Sequence, residues 1–75
     1  MKHRESALKV LGSNLRFARE GKEITQERLA EKAGLDPSYI SGIERGIRNP
    51  SILSLARVAR ALDTTVSDLT RSIES

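Results

Sequence analysis

Two short helices joined by a tight turn are predicted by residues 25–46, which read TQERLAEKAGLDPSYISGIERG. Thr25 is a good N-cap for the first helix, and Gly34 ends that helix after little more than two turns. Asp36 caps the second helix and Gly46 closes it. Helices joined by so few residues cross at a large angle, which is the geometry of a helix-turn-helix unit.

The side chains within this stretch suit such a unit. Ala30 is small enough for the point where the helices cross, and Leu35 is expected to fill the space between them. Ile40 and Ile43 are predicted to face inward. The other face of the second helix carries small or hydrogen-bonding residues, as a helix that enters the DNA major groove does: Ser38, Tyr39, Ser41, Gly42 and Arg45.

Three further helices are expected around this unit, and no strand, because sustained alternation of apolar and polar residues is absent. The first is predicted from an N-cap at Ser6 to Glu20, with Gly21 as its left-handed stop. Ser51 and Thr65 are the expected N-caps of the fourth and fifth helices. The residues predicted to face the core from these three helices are Leu8, Leu11, Leu15 and Ala18, then Ile52, Leu55, Val58, Ala59 and Leu62, then Leu69 and Ile73.

These features predict an all-α fold, a compact five-helix bundle in a single domain. The domain is expected to cover residues 1–75, with an ordered core of about residues 6–73. The chain has 75 residues, of which 37% are hydrophobic, and no run approaches the ~18–20 apolar residues that span a bilayer. The basic first five residues are not followed by the apolar stretch of a signal peptide, so the cytoplasm is the expected location.

The residue content argues against catalysis and metal binding. The chain has no cysteine and one histidine, which excludes disulfides and makes a structural zinc site implausible. Carboxylates are spread over several helices, and no Gly-rich phosphate loop is present. We therefore expect no enzyme activity, no cofactor, no metal and no small-molecule effector.

Positive charge is concentrated after the second helix of the pair. The net charge is +3, and nine of the thirteen cationic residues are arginine, which suits bidentate phosphate and base contacts. Arg45, Arg48, Arg57 and Arg60 follow one another with no acidic residue between them. Arg45 and Arg48 are expected to contact DNA, whereas Arg57 and Arg60 fit a solvated helix face better.

Three segments resemble the Cro and phage-repressor type of helix-turn-helix DNA-binding protein: TQERLAEKAG at 25–34, SYISGIERG at 38–46 and RNPS at 48–51. The resemblance covers about residues 11–69 and includes the small controller proteins of bacterial restriction–modification systems. It implies a lambda-repressor-like DNA-binding domain that acts as a sequence-specific transcriptional regulator on double-stranded DNA, with residues 37–45 as the recognition helix.

The resemblance assigns roles to residues of the recognition helix. Ser38, Tyr39 and Gly42 match positions that face base edges, although Tyr39 also fits a half-buried ring. Two departures reduce the expected base contacts: Pro37 stands where the family often has a polar residue, and Gly42 has no side chain. Gly42 would then offer only a close backbone approach or a pocket for a thymine methyl.

Other positions match residues that contact the DNA backbone. Gln26 would anchor a phosphate at the start of its helix. Arg48 and Asn49 match phosphate contacts, and Ser41 and Arg45 would lie close to the flanking backbone. A further pair, Arg19 and Glu44, resembles the family's interior ion pair.

One motif of this kind makes too few contacts for useful specificity, so we expect a homodimer on a pseudo-palindromic operator. Leu69 and Ile73 are the candidate dimer residues. Phe17 and Val10 form a second apolar stripe, which fits either packing under the N-terminal tail or a subunit contact. The alternative function is an antitoxin-like or other protein-interaction module on the same fold.

Overall fold

The structure, a computed structural model, describes the backbone of residues 2–73 and the side chains of residues 6–73. The described chain contains five α-helices and no strand, which confirms the predicted all-α, five-helix fold. The helices, α1 to α5 in chain order, are Lys2–Gly21, Gln26–Ala33, Pro37–Glu44, Ile52–Ala61 and Val66–Leu69. None of them is long and apolar enough to cross a membrane.

The predicted side-chain caps begin four of the helices. Each cap accepts a hydrogen bond from a backbone N–H of the first turn at 2.8–3.1 Å, which satisfies a donor that the helix itself leaves unpaired. These caps are Thr25 for α2, Asp36 for α3, Ser51 for α4 and Thr65 for α5.

The predicted ends of α1 are wrong. The helix begins at Lys2, so Ser6 lies inside it and is not an N-cap. Residues 2–5 contain no proline or glycine, so nothing in the sequence interrupts the helix before Ser6. Gly21 is the last helical residue, and the left-handed conformation occurs two residues later, at Glu23 with φ 59°.

Twelve buried apolar residues form one core contributed by all five helices: Leu11, Leu15, Leu29, Ala30, Ala33, Ile40, Ile43, Leu55, Val58, Ala59, Leu62 and Leu69. Three expectations about the core are corrected. Leu8 is only half-buried and does not belong to the buried cluster. Ile52 is 70% exposed, because it lies in the first turn of α4 on the side away from the core. Ile73 lies beyond α5 and is only half-buried against the core.

Close backbone packing fixes α1 against the recognition helix. Gly12 is buried in α1, and a Cβ built on it would lie 2.5 Å from the carbonyl oxygens of Ile43 and Glu44 at the end of α3. The side-chain amide of Asn14 donates to the carbonyls of Leu69 and Arg71, both at 2.9 Å. Helix α1 is therefore tied to α3 on one side and to the C-terminal segment on the other.

Candidate nucleic-acid interface

The polar face of α3 lies on the surface, and its residues differ in accessibility. Ser38 is exposed and Tyr39 is half-buried, with its ring packed against the edge of the core. Ser41 is half-buried, and Gly42 is buried although it was predicted to face base edges. Arg45 ends the helix in an exposed position.

Ser38 is held by the residue that caps its own helix. One carboxylate oxygen of Asp36 accepts from the Ser38 N–H at 2.8 Å and from the Ser38 hydroxyl at 2.7 Å. These two bonds hold the pKa of Asp36 below its ordinary value of 3.8, and the bond from the hydroxyl has the larger effect. Because its proton is donated to Asp36, the Ser38 hydroxyl has only lone pairs left to offer, and these could accept a hydrogen bond from an amino group.

The C-terminal cap of α3 turns the chain back over the recognition helix. Gly46 is left-handed with φ 78°, and its N–H bonds to the carbonyl of Ile43 at 3.0 Å. The N–H of Ile47 bonds to the carbonyl of Gly42 at 3.0 Å, which completes a Schellman motif. The next N–H, that of Arg48, bonds to the same carbonyl at 3.2 Å. Arg48 is thereby held beside Gly42.

The stem of Arg48 occupies the space that a side chain at position 42 would fill. A Cβ on Gly42 would clash with Cγ of Arg48. Arg48 therefore covers the Gly42 backbone, where a close approach of DNA was predicted. The guanidinium carbon of Arg48 lies 5.7 Å from the centre of the Tyr39 ring, within cation–π distance.

Arg19 and Glu44 form a bidentate ion pair between α1 and α3. Nε and Nη2 of Arg19 donate to the two carboxylate oxygens of Glu44 at 2.6 and 3.1 Å, and the side chains are 11% and 3% exposed. Nη1 of Arg19 also donates to the carbonyl of Ile24 at 2.8 Å. The hydrogen bond to Glu44 raises the pKa of Arg19 above its ordinary value, so the guanidinium stays charged at physiological pH.

Gln26 belongs to the same network. Its side-chain amide donates to Oε1 of Glu44 at 3.0 Å, so one carboxylate holds both the arginine of α1 and the first residue of α2. The Gln26 side chain is therefore fixed rather than free to rotate at the start of α2. Its remaining amide proton and the unpaired backbone N–H groups of that helix end are donors suited to a phosphate.

The two helix N-termini of the unit differ electrostatically. At α3 the carboxylate of Asp36 faces the positive end of the helix dipole and neutralises it. At α2 the cap is the neutral hydroxyl of Thr25, and the carboxylate near that helix end is instead Glu27 in the first turn. Each helix end therefore has one carboxylate close to it, at the N-cap of α3 and in the first turn of α2.

The remaining predicted residues lie around this face. Arg45, Arg48 and Asn49 are exposed and follow one another across the end of α3 and the loop behind it. Among the described side chains, neither arginine has an acidic partner within ion-pair distance. The structure thus brings Ser38, Tyr39 and Arg48 together on one surface.

Comparison with known proteins agrees with this geometry. A helix-turn-helix family model, HTH_3, matches residues 15–69, which is most of the chain. The chain belongs to this helix-turn-helix family. It is therefore a DNA-binding regulator of transcription and not an enzyme.

Several named relatives are similar to this helix-turn-helix protein. The control protein C.SmaI of Serratia marcescens is 40% identical over 80% of the chain and 71% of its own length. The immunity repressor protein of Bacillus phage phi105 is 44% identical over 77% of the chain, which spans only 40% of that repressor. The crystal structure of the restriction-modification controller protein C.AhdI from Aeromonas hydrophila is 42% identical, with a TM-score of 0.83, and the match covers 85% of this chain and 97% of that one.

Sequence reasoning missed two features of the site. The first is the contact of Gln26 with Glu44, which no local pattern indicates because the residues are 18 positions apart. The second is the position of Arg48 over Gly42. The signal that could have revealed it is Gly46, which ends the helix four residues after Gly42 and two residues before Arg48. A glycine at this place forms a Schellman cap, which folds the chain back onto the last turn.

Proposed function

We propose that the protein is a homodimer that represses or activates transcription by binding a pseudo-palindromic operator. Helix α3 of each protomer enters the major groove of one half-site, and the half-sites are about one helical turn (~34 Å) apart. The observation that carries the proposal is the surface formed by Ser38, Tyr39 and Arg48. The Tyr39 ring packs against the core, and the backbone of Arg48 is hydrogen-bonded to the end of α3.

Arg48 is assigned a base contact in this proposal. Its stem crosses Gly42, on the face of α3 that would enter the groove, and its guanidinium lies by the Tyr39 ring. A guanidinium held there is suited to bidentate contact with the O6 and N7 atoms of guanine, which is worth about 1–3 kcal/mol of discrimination. Arg48 thus supplies the side chain that Gly42 lacks.

Backbone contacts are assigned to residues around this surface. Gln26 and the N–H groups at the start of α2 would hold one phosphate, and the Glu44 contact supports this role by fixing the Gln26 amide. Arg45 and Asn49, both exposed, would contact phosphates on the other side of α3, with Ser41 close to the same strand. These contacts set the register of the protein and carry little sequence information.

The dimer surface that we now favour differs from the residues inferred from sequence. Leu69 is 1% exposed in the core of the protomer, so its side chain is not available to a partner. Of the four large exposed apolar residues in the described chain, three lie just behind the recognition helix: Ile47, Ile52 and Leu53, at 63–76% exposure. A two-fold axis beside this apolar patch would bring two recognition helices to the same side of the dimer.

The salt dependence of binding to duplex DNA tests the proposal. The association constant of a DNA-binding protein falls steeply with salt, with a slope of about −0.9 per neutralised phosphate. Arg45→Ala, which removes an exposed cation at the end of α3, is expected to weaken binding to all sequences and to reduce the slope, whereas Gln26→Ala should weaken binding with little change in slope because its amide is uncharged. Arg71→Ala, which removes a cation remote from α3, should leave both unchanged. A wild-type affinity that is independent of salt would reject DNA binding and favour the protein-interaction alternative.

A further inference from the structure

We propose that a cationic groove between the C-terminal halves of α2 and α4 is a docking site for an acidic, partly apolar peptide segment of another protein, separate from the DNA-binding face. The groove has a volume of about 670 Å³, which lies in the range of sites that hold a ligand or a short peptide. No role in the regulator described above requires it.

Four cations without acidic partners surround this groove. Lys22, Lys32, Arg57 and Arg60 line it, and none of them takes part in an ion pair with any side chain that the structure describes. Asp63 is the one acidic residue of the lining, and it too lies outside ion-pair distance of them. The lining therefore carries a net charge of +3, and its field attracts an anionic partner.

The arrangement on α4 favours a regularly spaced partner. Arg57 and Arg60 are three residues apart, so they lie on the same side of the helix, and both are exposed. Carboxylates that recur every three or four residues along a helical peptide would meet them in succession. A single phosphate or carboxylate would contact only some of the four cationic side chains that line the groove.

The floor of the groove is apolar, which distinguishes a peptide from other anions. It is formed by Ile24, Ala33, Ala61 and Leu62, and Ile24 and Ala61 remain half-exposed. No aromatic side chain lines the groove, so it offers no surface on which a nucleotide base would stack. A DNA backbone would satisfy the cations but leave the floor uncovered, whereas leucine side chains among the carboxylates would cover it.

The position of the groove leaves it accessible when DNA is bound. Helix α2 begins at Gln26, in the proposed DNA-binding face, and ends at Ala33, which lines the groove. Helix α4 begins shortly after Asn49 in the sequence and ends at Ala61, which also lines the groove. At 1.5 Å per residue, these helices separate the two sites by about 12–15 Å. The regulator would thus hold an operator on one face and recruit an acidic segment on the other.

Fluorescence anisotropy with a labelled helical peptide tests the proposal. The probe carries Glu at every third or fourth position along one side of its helix, with Leu residues next to them. It is titrated with the full-length protein, once without DNA and once with the protein saturated with duplex DNA. We expect binding in both states. The double variant R57E/R60E should weaken peptide binding by at least about tenfold while its duplex affinity changes by less than about threefold. Backbone amide shifts should move at Ala33 and Ala61 and not at Ser38.

Arg71→Glu is the matched control for the single variant R57E, because each reverses one charge, half the change made in R57E/R60E, and Arg71 is an exposed residue that does not line this groove. It should bind the peptide within about twofold of the wild type. Equal peptide binding by R57E/R60E would overturn the proposal. Displacement of the peptide by duplex DNA, together with a parallel loss of DNA affinity in R57E/R60E, would instead assign the groove to DNA. Circular dichroism melts of each variant exclude unfolding as the cause, and R57Q/R60Q repeats the test without introducing acidic groups.

Discussion

Gly42 determines where a neighbouring arginine lies. Its missing side chain leaves the space that the Arg48 stem fills, and the Schellman cap of α3 holds Arg48 there. We expect Gly42→Ala to displace Arg48 and to lower operator affinity by about 1–3 kcal/mol, the value of one bidentate base contact. Stability should not fall with it, because alanine favours a helix over glycine by about 0.5–1 kcal/mol and the Arg48 side chain is exposed.

A double-mutant cycle with Arg48→Ala checks this explanation. If Gly42→Ala acts by moving Arg48, the two changes are not additive, and the double variant binds no more weakly than Arg48→Ala alone. Fully additive losses of DNA affinity would mean that position 42 contacts DNA by itself.

Glu44 stabilises the fold at the residue level through its ion pair with Arg19. Arg19→Ala leaves this nearly buried carboxylate without its charged partner, and we expect a loss of about 3–5 kcal/mol in the free energy of unfolding. Arg16→Ala is the control, because its ion pair with Glu20 is more than half exposed and is worth at most about 1 kcal/mol. Urea denaturation measures both, and a melt of Arg19→Ala that matches the wild type would contradict the role of the pair.

At the scale of helices, two glycines of α1 have opposite requirements. Gly12→Ala places a Cβ against backbone carbonyls of α3 that cannot move aside, and we expect a loss of about 1–3 kcal/mol. Gly21→Ala meets nothing within 4 Å and keeps helical backbone, so it should be neutral or stabilising by up to about 1 kcal/mol. Thermal unfolding compares the pair, and equal melting temperatures would show that α1 and α3 are not in tight contact.

The cap of the recognition helix makes stability depend on pH. Because hydrogen bonds from Ser38 hold the folded-state pKa of Asp36 below 3.8, its contribution is fully present above that pH and is lost as the pH falls through the lowered pKa. Asp36→Asn keeps an acceptor without a charge, so the stability difference between wild type and variant should shrink below pH 3.8. Glu31→Gln, a change at an exposed residue inside α2 that caps neither helix end, is the control. A pH-independent difference for Asp36→Asn would contradict the prediction.

At the scale of the whole molecule, the apolar patch of Ile47, Ile52 and Leu53 is expected to hold two protomers together. Leu53→Asp adds a charge in the first turn of α4, where the helix dipole favours it, so the fold should be retained while the dimer dissociates. Sedimentation at tens of micromolar measures the change. Phe17→Asp, at the other large exposed apolar residue, is the control. If Phe17→Asp and not Leu53→Asp gives monomers, the α1 stripe forms the interface instead.

The sequence predicted what local signals encode. The caps Thr25, Asp36, Ser51 and Thr65 and the two left-handed glycines mark helix boundaries through short-range hydrogen bonds, and these were confirmed. The start of α1 was missed, because charged residues in a first turn extend a helix without a cap.

Contacts between distant parts of the chain were harder to predict. The bond from Gln26 to Glu44 and the groove between α2 and α4 depend on how the helices pack, which periodicity does not encode. The exposure of Ile52 was misjudged for the same reason, because an apolar residue alone does not reveal whether it faces its own core. Leu69 faces the core as predicted, and this burial makes it a poor candidate for a dimer contact.

Selection of bound duplexes from a random DNA pool tests the central claim, that Tyr39 on α3 and Arg48 in the loop after it read base sequence. The wild type should enrich a pseudo-palindrome with half-sites about one helical turn (~34 Å) apart. Tyr39→Ala should enrich a site with altered bases at defined positions of each half-site, whereas Gln26→Ala should enrich the wild-type site more weakly. Enrichment of the same site by Tyr39→Ala, or of no site by the wild type, would contradict the account.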